Sequence, residues 1–239
     1  FGIEGVYAEL DGQPLSWLGF TAGLRFDDNT AIDDNVSPRV ALFLSKHETY
    51  GLKLLYAQGF RNPSAYEAFF YDNASFAQPA GLGAESIESF EAIVWAKPVG
   101  GLSLRLSGFY WDATGIVEQL PDPAMPSLLQ FQNAGELVSG GAEFEGSYRT
   151  AAGWYAFGGA TYARVGEGDH GTPVAYGNVP NAPALTAAGG VSTPKLFGIG
   201  HLSLEATYIG ERATRPDDAT GALGPETPQW FGLNGIIYI

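Results

Sequence analysis

The sequence predicts an all-β fold, a transmembrane antiparallel up-and-down β-barrel, present here as about eleven consecutive strands. Three observations carry that expectation. Apolar and polar residues alternate in one stretch after another, short and long connections take turns along the chain, and aromatic residues gather at the ends of the alternating stretches.

The strands are expected near 2–10, 15–27, 37–45, 49–60, 87–97, 102–112, 131–149, 154–165, 184–193, 199–210 and 228–239, each bounded by turn residues. Side chains point alternately to the two faces of a strand, so each stretch carries one greasy and one polar or small face. In 18–27, Leu18, Phe20, Ala22, Leu24 and Phe26 oppose Gly19, Thr21, Gly23, Arg25 and Asp27. In 102–110, Leu102, Leu104, Leu106 and Tyr110 oppose Ser103, Arg105 and Ser107; 142–149 and 202–208 repeat the pattern.

Between the strands, short connections at Asp11–Pro14, Ser45–Glu48, Lys97–Gly101, Thr150–Gly153 and Pro194–Gly198 alternate with long ones at 28–36, 61–86, 113–130, 166–183 and 211–227. Short turns on one rim and long loops on the other characterise outer-membrane barrels. A soluble barrel would bury the greasy face inward, and alternation alone does not separate the two cases. Strand length and aromatic placement do. Several stretches exceed ten residues, as a tilted crossing of a bilayer requires. Tyr7, Phe26, Tyr50, Phe60, Tyr110, Trp154, Tyr162 and Tyr208 sit at strand ends, where interfacial girdles form. The apolar face is therefore expected to meet lipid.

Composition narrows the function classes. The 239 residues read as one partial domain, 1–239, rich in Gly (33) and Pro (15), which suits strands and turns rather than helices. No run approaches 18 apolar residues, and mean hydropathy is -0.02, as expected when only every second strand residue is apolar. The net charge of -14 argues against a nucleic-acid partner. Cysteine is absent, which removes disulfide scaffolds and thiolate metal or redox sites. No basic segment, apolar core and cleavage site precede the first strand, and both ends fall within strands, so the chain reads as a fragment whose two open edges need further strands.

Several segments in order carry a family resemblance. Leu54–Phe69 holds Gly59-Phe60-Arg61-Asn62-Pro63 and then Glu67; Gly81–Glu91 follows; Asn133-Ala134-Gly135-Glu136 precedes Gly141-Ala142-Glu143-Phe144-Glu145-Gly146; Val179–Pro183 and Tyr208–Arg212 come last. This series resembles the barrel of TonB-dependent receptors, from Thr49 onward. Where the family carries Asn-Pro before its next strand, this chain has Gly81-Leu82. The resemblance implies a 22-stranded barrel with an N-terminal plug in its lumen, the plug and early strands preceding Phe1 and a closing hairpin following Ile239. It implies active transport across a Gram-negative-type outer membrane. Long loops would capture a scarce small-molecule ligand, a siderophore, another metal chelate or a cobalamin-like compound. A TonB-type inner-membrane complex would pull on the plug. Neither a resident cofactor nor catalysis is implied. A passive porin is the first rival reading, a soluble all-β binding domain the second.

Candidate residues fall into two groups. Arg61, Asn62, Tyr66 and Glu67 open the long loop, and Arg61 can anchor it through carboxylates or carbonyls. Glu143, Glu145 and Arg149 share the polar face and can pair with wall or plug charges. Asp27, Asp28, Asp33, Asp34 and Asn35 could gather oxygens for Ca²⁺, but without the spacing of a Ca²⁺ loop, so a solvated acidic segment is the simpler reading. His47, His170 and His201 lie in different elements, and 61–86 holds no His of the kind that haem-transporting relatives use. Asp169 beside His170 could mimic part of a hydrolase site, but adjacent residues on a strand point apart.

Overall fold

A computed structural model of the chain describes residues 2–46, 49–169, 175–176, 179–214 and 224–239. Fourteen strands and one short helix follow in order: β1 (Ile3–Leu15), β2 (Leu18–Asn29), β3 (Asn35–Lys46), β4 (Tyr50–Arg61), α1 (Ala65–Phe69), β5 (Glu85–Ala96), β6 (Leu102–Pro121), β7 (Leu129–Arg149), β8 (Tyr155–Asp169), β9 (Ala175–Tyr176), β10 (Leu185–Ser192), β11 (His201–Ile209), β12 (Arg212–Thr214), β13 (Gly224–Thr227) and β14 (Trp230–Tyr238). Eleven of them form one meander, each pairing with the next: β1 to β8, then β10, β11 and β14. Every ladder is antiparallel, as single turns between neighbours require. The eleven-strand expectation holds. The small additions are β9, which extends β8, and the separate β12–β13 hairpin, both in stretches expected to be loops. No helix of the described residues is long and apolar enough to cross a membrane, which says nothing about crossing by strands.

The structure departs from the sequence reading most clearly at four connections, each for a physical reason. The first turn is Ser16–Trp17 rather than Asp11–Pro14. The ladder runs on past Gly12↔Phe20 to Leu15↔Leu18 with a shifted register between, so Gln13 and Pro14 form a bulge where a missing amide hydrogen is tolerated. The connection at 28–36 shrinks to Thr30–Asp34, because β2 and β3 pair as far as Asp27↔Asn35. The expected loop 113–130 is mostly strand: β6 and β7 pair up to Pro121↔Leu129, leaving a tip at 122–128. Gly115, at φ +67, takes up the register shift in that hairpin, a conformation that a side chain would strain. Finally, 61–86 contains α1. Its signal was present in Ser64-Ala65-Tyr66-Glu67, a capping box.

Register shows how cleanly the two faces divide. The row Leu18–Leu44–Leu52–Val94–Leu106–Phe144–Ala160–Ala187–Tyr208 crosses nine strands without a charge. The neighbouring row on the opposite face, Arg105–Glu145–Gly159–Ala188–Thr207, is polar or small. Within the apolar row Val94 is 50%, Leu106 53% and Phe144 48% exposed. Charges on the inner face pair with one another, Arg39 with Glu9 and Arg25 with Asp27. Phe26, Tyr50, Phe60, Tyr110, Tyr162 and Tyr208 fall on the outer face by register. Tyr7 does not: it pairs with Arg25 on the inner face, one residue out of phase with Val6.

Candidate functional site

The last residue of β4 begins a tightly tied loop. Arg61 Nε donates to Glu85 Oε2 at 2.6 Å, Nη1 to Glu67 Oε2 at 3.0 Å, and Nη2 to an oxygen of each carboxylate. One guanidinium thus grips two carboxylates, the planar two-pronged pairing that arginine alone provides. Each carboxylate also holds backbone. Glu67 Oε2 accepts from the Ser64 amide at 2.7 Å while Ser64 Oγ caps the Glu67 amide, and Glu85 Oε1 accepts from the Val117 amide at 2.8 Å. Hydrogen bonds from Arg61 outweigh partial burial and hold the Glu67 carboxyl below its ordinary value of 4.5. Arg61, at the end of β4, therefore ties the start of α1 to β5 and, through Glu85, to β6.

The rest of the loop lies against the extended β6–β7 hairpin. Tyr66 stacks on Phe70 (4.6 Å) and meets the edge of Phe131 (5.6 Å), and Phe76 stacks on Phe131 at 5.8 Å. Backbone joins the same seam: Ala77 N donates to Leu129 O at 2.8 Å and Leu129 N to Ser75 O at 2.9 Å. Asn133 closes the far end, accepting from Gly83 N (2.8 Å) and donating to Gly83 O (3.1 Å) and Gly115 O (2.6 Å). Asp72 turns the loop back with one carboxylate oxygen accepting from the amides of Phe76, Ser75 and Ala74, which lowers its pKa. Asn62 is peripheral, accepting from Asn35 Nδ2 at 3.4 Å.

Arg61, Tyr66 and Glu67 thus come together, while Glu143, Glu145 and Arg149 form a second place on the inner wall. Level with Arg61, the sheet has reached the segment of β7 around Glu136, since Ser86↔Thr114↔Glu136 lies one residue below Arg61↔Glu85. Glu143 is seven residues farther down, roughly 23 Å at about 3.3 Å per residue. There Arg105 Nη1 reaches Glu145 Oε2 at 3.5 Å, both half exposed, and the Arg149 guanidinium lies over the Tyr155 ring at 4.6 Å. Glu143, Glu145 and Arg105 line an open groove with Thr161, Thr186 and Thr207.

Sequence reasoning passed over Glu85 and Asn133 as site residues, although both lie in the quoted segments. Their partners, Arg61, Gly83 and Gly115, are distant in sequence, and only the strand register brings them close. Of the acidic group, Asp27 is occupied by Arg25, and Asp34 accepts from the Asn29 amide at 3.3 Å. Among the described residues no cluster of His, Asp and Glu has metal-binding geometry. His201 is exposed, with Nδ1 3.1 Å from Thr193 O; His47 and His170 lie outside the described residues, as do Glu48 and the middles of 166–183 and 211–227.

An outer wall with an uncharged apolar band, an inner wall that carries ion pairs, and a long loop tied at one rim define a transmembrane β-barrel class. Residues 2–234 match the family described as TonB dependent receptor-like, beta-barrel, and the chain belongs to it. No curated protein matches the sequence. Among solved structures, the FrpB iron transporter from Neisseria meningitidis superposes with a TM-score of 0.76 at 18% identity, over 98% of this chain and 37% of that one. A mutant ferric enterobactin receptor from Pseudomonas aeruginosa, in complex with enterobactin, gives 0.78 at 19%, over 98% and 37%. The siderophore receptor PirA from Acinetobacter baumannii gives 0.78 at 14%, over 98% and 39%. The chain therefore spans less than two fifths of these proteins.

Proposed function

We propose that this chain is the later half of the wall of an outer-membrane active-transport receptor, which captures a scarce metal chelate, most simply a ferric siderophore, and imports it with TonB-type energy coupling. The observation that carries the reading is the tied loop. A passive pore has no need to fix an aromatic-faced loop to its wall by one arginine, two carboxylates and an asparagine, whereas a capture site needs a preorganised surface. In this reading Arg61 and Glu67 set the loop, Asn62 and Tyr66 lie where ligand is first met, and Glu143, Glu145 and Arg149 face the plug or the ligand's route below. Further strands pair the open edges of β1 and β14 within the membrane, since unpaired backbone in lipid is costly.

The test is uptake of labelled ferric siderophores by iron-starved cells carrying or lacking the full-length gene. Uptake that depends on the gene and stops when the inner-membrane proton gradient is collapsed supports the proposal. Gene-dependent entry that is indifferent to the gradient and linear in solute concentration would establish the porin reading instead.

A further inference from the structure

We propose that the outer wall carries a binding site for one anionic phospholipid of the periplasmic leaflet, where the β1–β2 turn meets the lower ends of β3 and β4, with Lys46 facing the headgroup phosphate. The proposal goes beyond the receptor reading and needs only a barrel of this family set in a bilayer with its short turns toward the periplasm.

Ser16 and Trp17 of the first turn, Leu44, Ser45 and Lys46 at the end of β3, and Tyr50 at the start of β4 line an open groove of about 750 Å³. Register puts it on the outer face. Lys46 pairs with Tyr50, two steps below the apolar row Leu18↔Leu44↔Leu52, so all of these share one side of the sheet. Phe43 and Trp95 hold the inner side at this level, the first paired with Lys53 and the second covering Gly51, and neither lines the groove. Above it, the outward pairs Leu44↔Leu52 and Leu42↔Leu54 continue as an apolar track up the wall. Trp17 and Tyr50 are about half exposed, amphipathic rings at the lower end of that track.

Charge decides which lipid fits. Lys46 is exposed, and Lys97 stands beside the groove, its amide donating to Thr49 O at 2.7 Å. Among the described residues neither lysine enters an ion pair. The described residues of the short connections include no Asp or Glu, whereas the opposite rim holds Asp33, Asp34, Glu67, Asp72 and Asp122. Two unpaired cations at the foot of an apolar track match a phosphodiester that carries two acyl chains and a net negative charge. A zwitterionic headgroup would bring its own ammonium against them. A soluble acidic partner could reach the turns but not the track, which is continuous with the lipid-facing wall.

The test is native mass spectrometry of the full-length protein in neutral detergent, titrated separately with phosphatidylglycerol and phosphatidylethanolamine. Phosphatidylglycerol should bind roughly fivefold to thirtyfold more tightly, about fivefold for each lysine near the headgroup. Lys46→Gln and Lys97→Gln, measured separately and each confirmed folded by heat-dependent gel migration, should each lose about fivefold of that preference. Lys46→Arg should keep it. Lys53→Gln removes the same charge from the inner face, where Lys53 Nζ lies 5.1 Å from the Phe43 ring centroid, and should leave the preference intact. Equal affinity for the two lipids, or a preference that survives both Lys46→Gln and Lys97→Gln, would overturn the proposal. An equal loss from Lys53→Gln would overturn it too, since net charge rather than the groove would then be drawing the lipid. Siderophore uptake by the same variants reads the receptor proposal separately.

Discussion

Replacing Leu106 by arginine puts a charge on the outer face where the sheet is expected to cross the centre of the membrane. On β5, the outward Glu88 accepts from Tyr56 Oη at 3.5 Å and stands above the apolar band, while Lys97 follows the strand's lower end. Nine residue steps at about 3.3 Å, tilted by about 40°, rise roughly 23 Å, close to the apolar band of about 25 Å found on such barrels. Val94 pairs with Leu106 within a residue or two of the middle of that interval. Leu106→Arg should therefore cost about 2–4 kcal/mol, the range for arginine facing lipid at mid-membrane. At about 1.4 kcal/mol per tenfold, that is about a 30- to 700-fold fall in the folding constant. Thr161→Arg is the control at matching depth: the row Ser107↔Glu143↔Thr161 lies next to that of Leu106, and the inner face gives the guanidinium Glu143 as a neighbour. It should cost less than about 1 kcal/mol. The assay is urea unfolding of the full-length protein in lipid vesicles, followed by tryptophan fluorescence. Greater damage from Thr161→Arg would mean that the sheet is inside out relative to this account, and the membrane assignment would fall with it.

Arg61→Met should leave Glu67 and Glu85 facing each other without their cation; discounting for the half-exposed guanidinium, loop opening should become easier by about 1–2 kcal/mol, read as roughly tenfold faster hydrogen exchange at the Ser64 and Val117 amides. Because the Glu67 and Asp72 carboxyls lie below their ordinary 4.5 and 3.8, their contribution is complete above those values and is lost as pH falls through the lowered ones; protection of the loop amides, taken relative to the intrinsic exchange rate at each pH, should hardly change from neutrality to about pH 5 and fall only in stronger acid. Asn133→Ala removes three hydrogen bonds at the loop's far end and should cost about 1–3 kcal/mol locally, with loss of protection at Gly83 but not at the Ser64 amide. Met125→Cys, on the exposed hairpin tip, should react with a membrane-impermeant thiol reagent on whole cells, and Gly100→Cys, in an opposite-rim turn, only after the outer membrane is breached.

Most of the wall was legible because its rule is local. Alternation at period two specifies a strand and its faces, and a one-residue slip would turn every side chain over, so register and pattern constrain each other. Legibility failed where the pattern stopped being about lipid. Above the apolar band, β6 continues through Ala113–Pro121 with both faces mixed, so no alternation marked that stretch as strand, whereas the start of β7 was expected within two residues of where it lies. The bulge at Gln13–Pro14 looked like a turn because proline and glycine serve both purposes. The capping box at Ser64–Glu67 was readable and overlooked, since a five-residue helix has no amphipathic period to draw attention to it. Arg61 was identifiable as an anchor from its position before Asn-Pro, but its second carboxylate, Glu85, is twenty-four residues away and becomes a neighbour only through the β4–β5 ladder.

That distance bears on how the loop can work. Arg61 closes β4 and Glu85 opens β5, and the two residues are register partners. The segment between them is thus pinned at its base, and again near its far end by Asn133. Its apex rests on Phe131 and Leu129 of the hairpin through ring stacking and a few backbone bonds, contacts that can slip without breaking an ion pair. A loop held firmly at its feet and softly at its crown can tilt against the hairpin while its attachment to the barrel stays fixed. If ligand capture moves this loop, the seam between Phe76 and Phe131 should open before the Arg61 pairing does. Hydrogen exchange at Ala77 should then respond to added ferric siderophore while exchange at Ser64 stays unchanged. The reverse order of response would mean that the arginine pairing itself is the moving part.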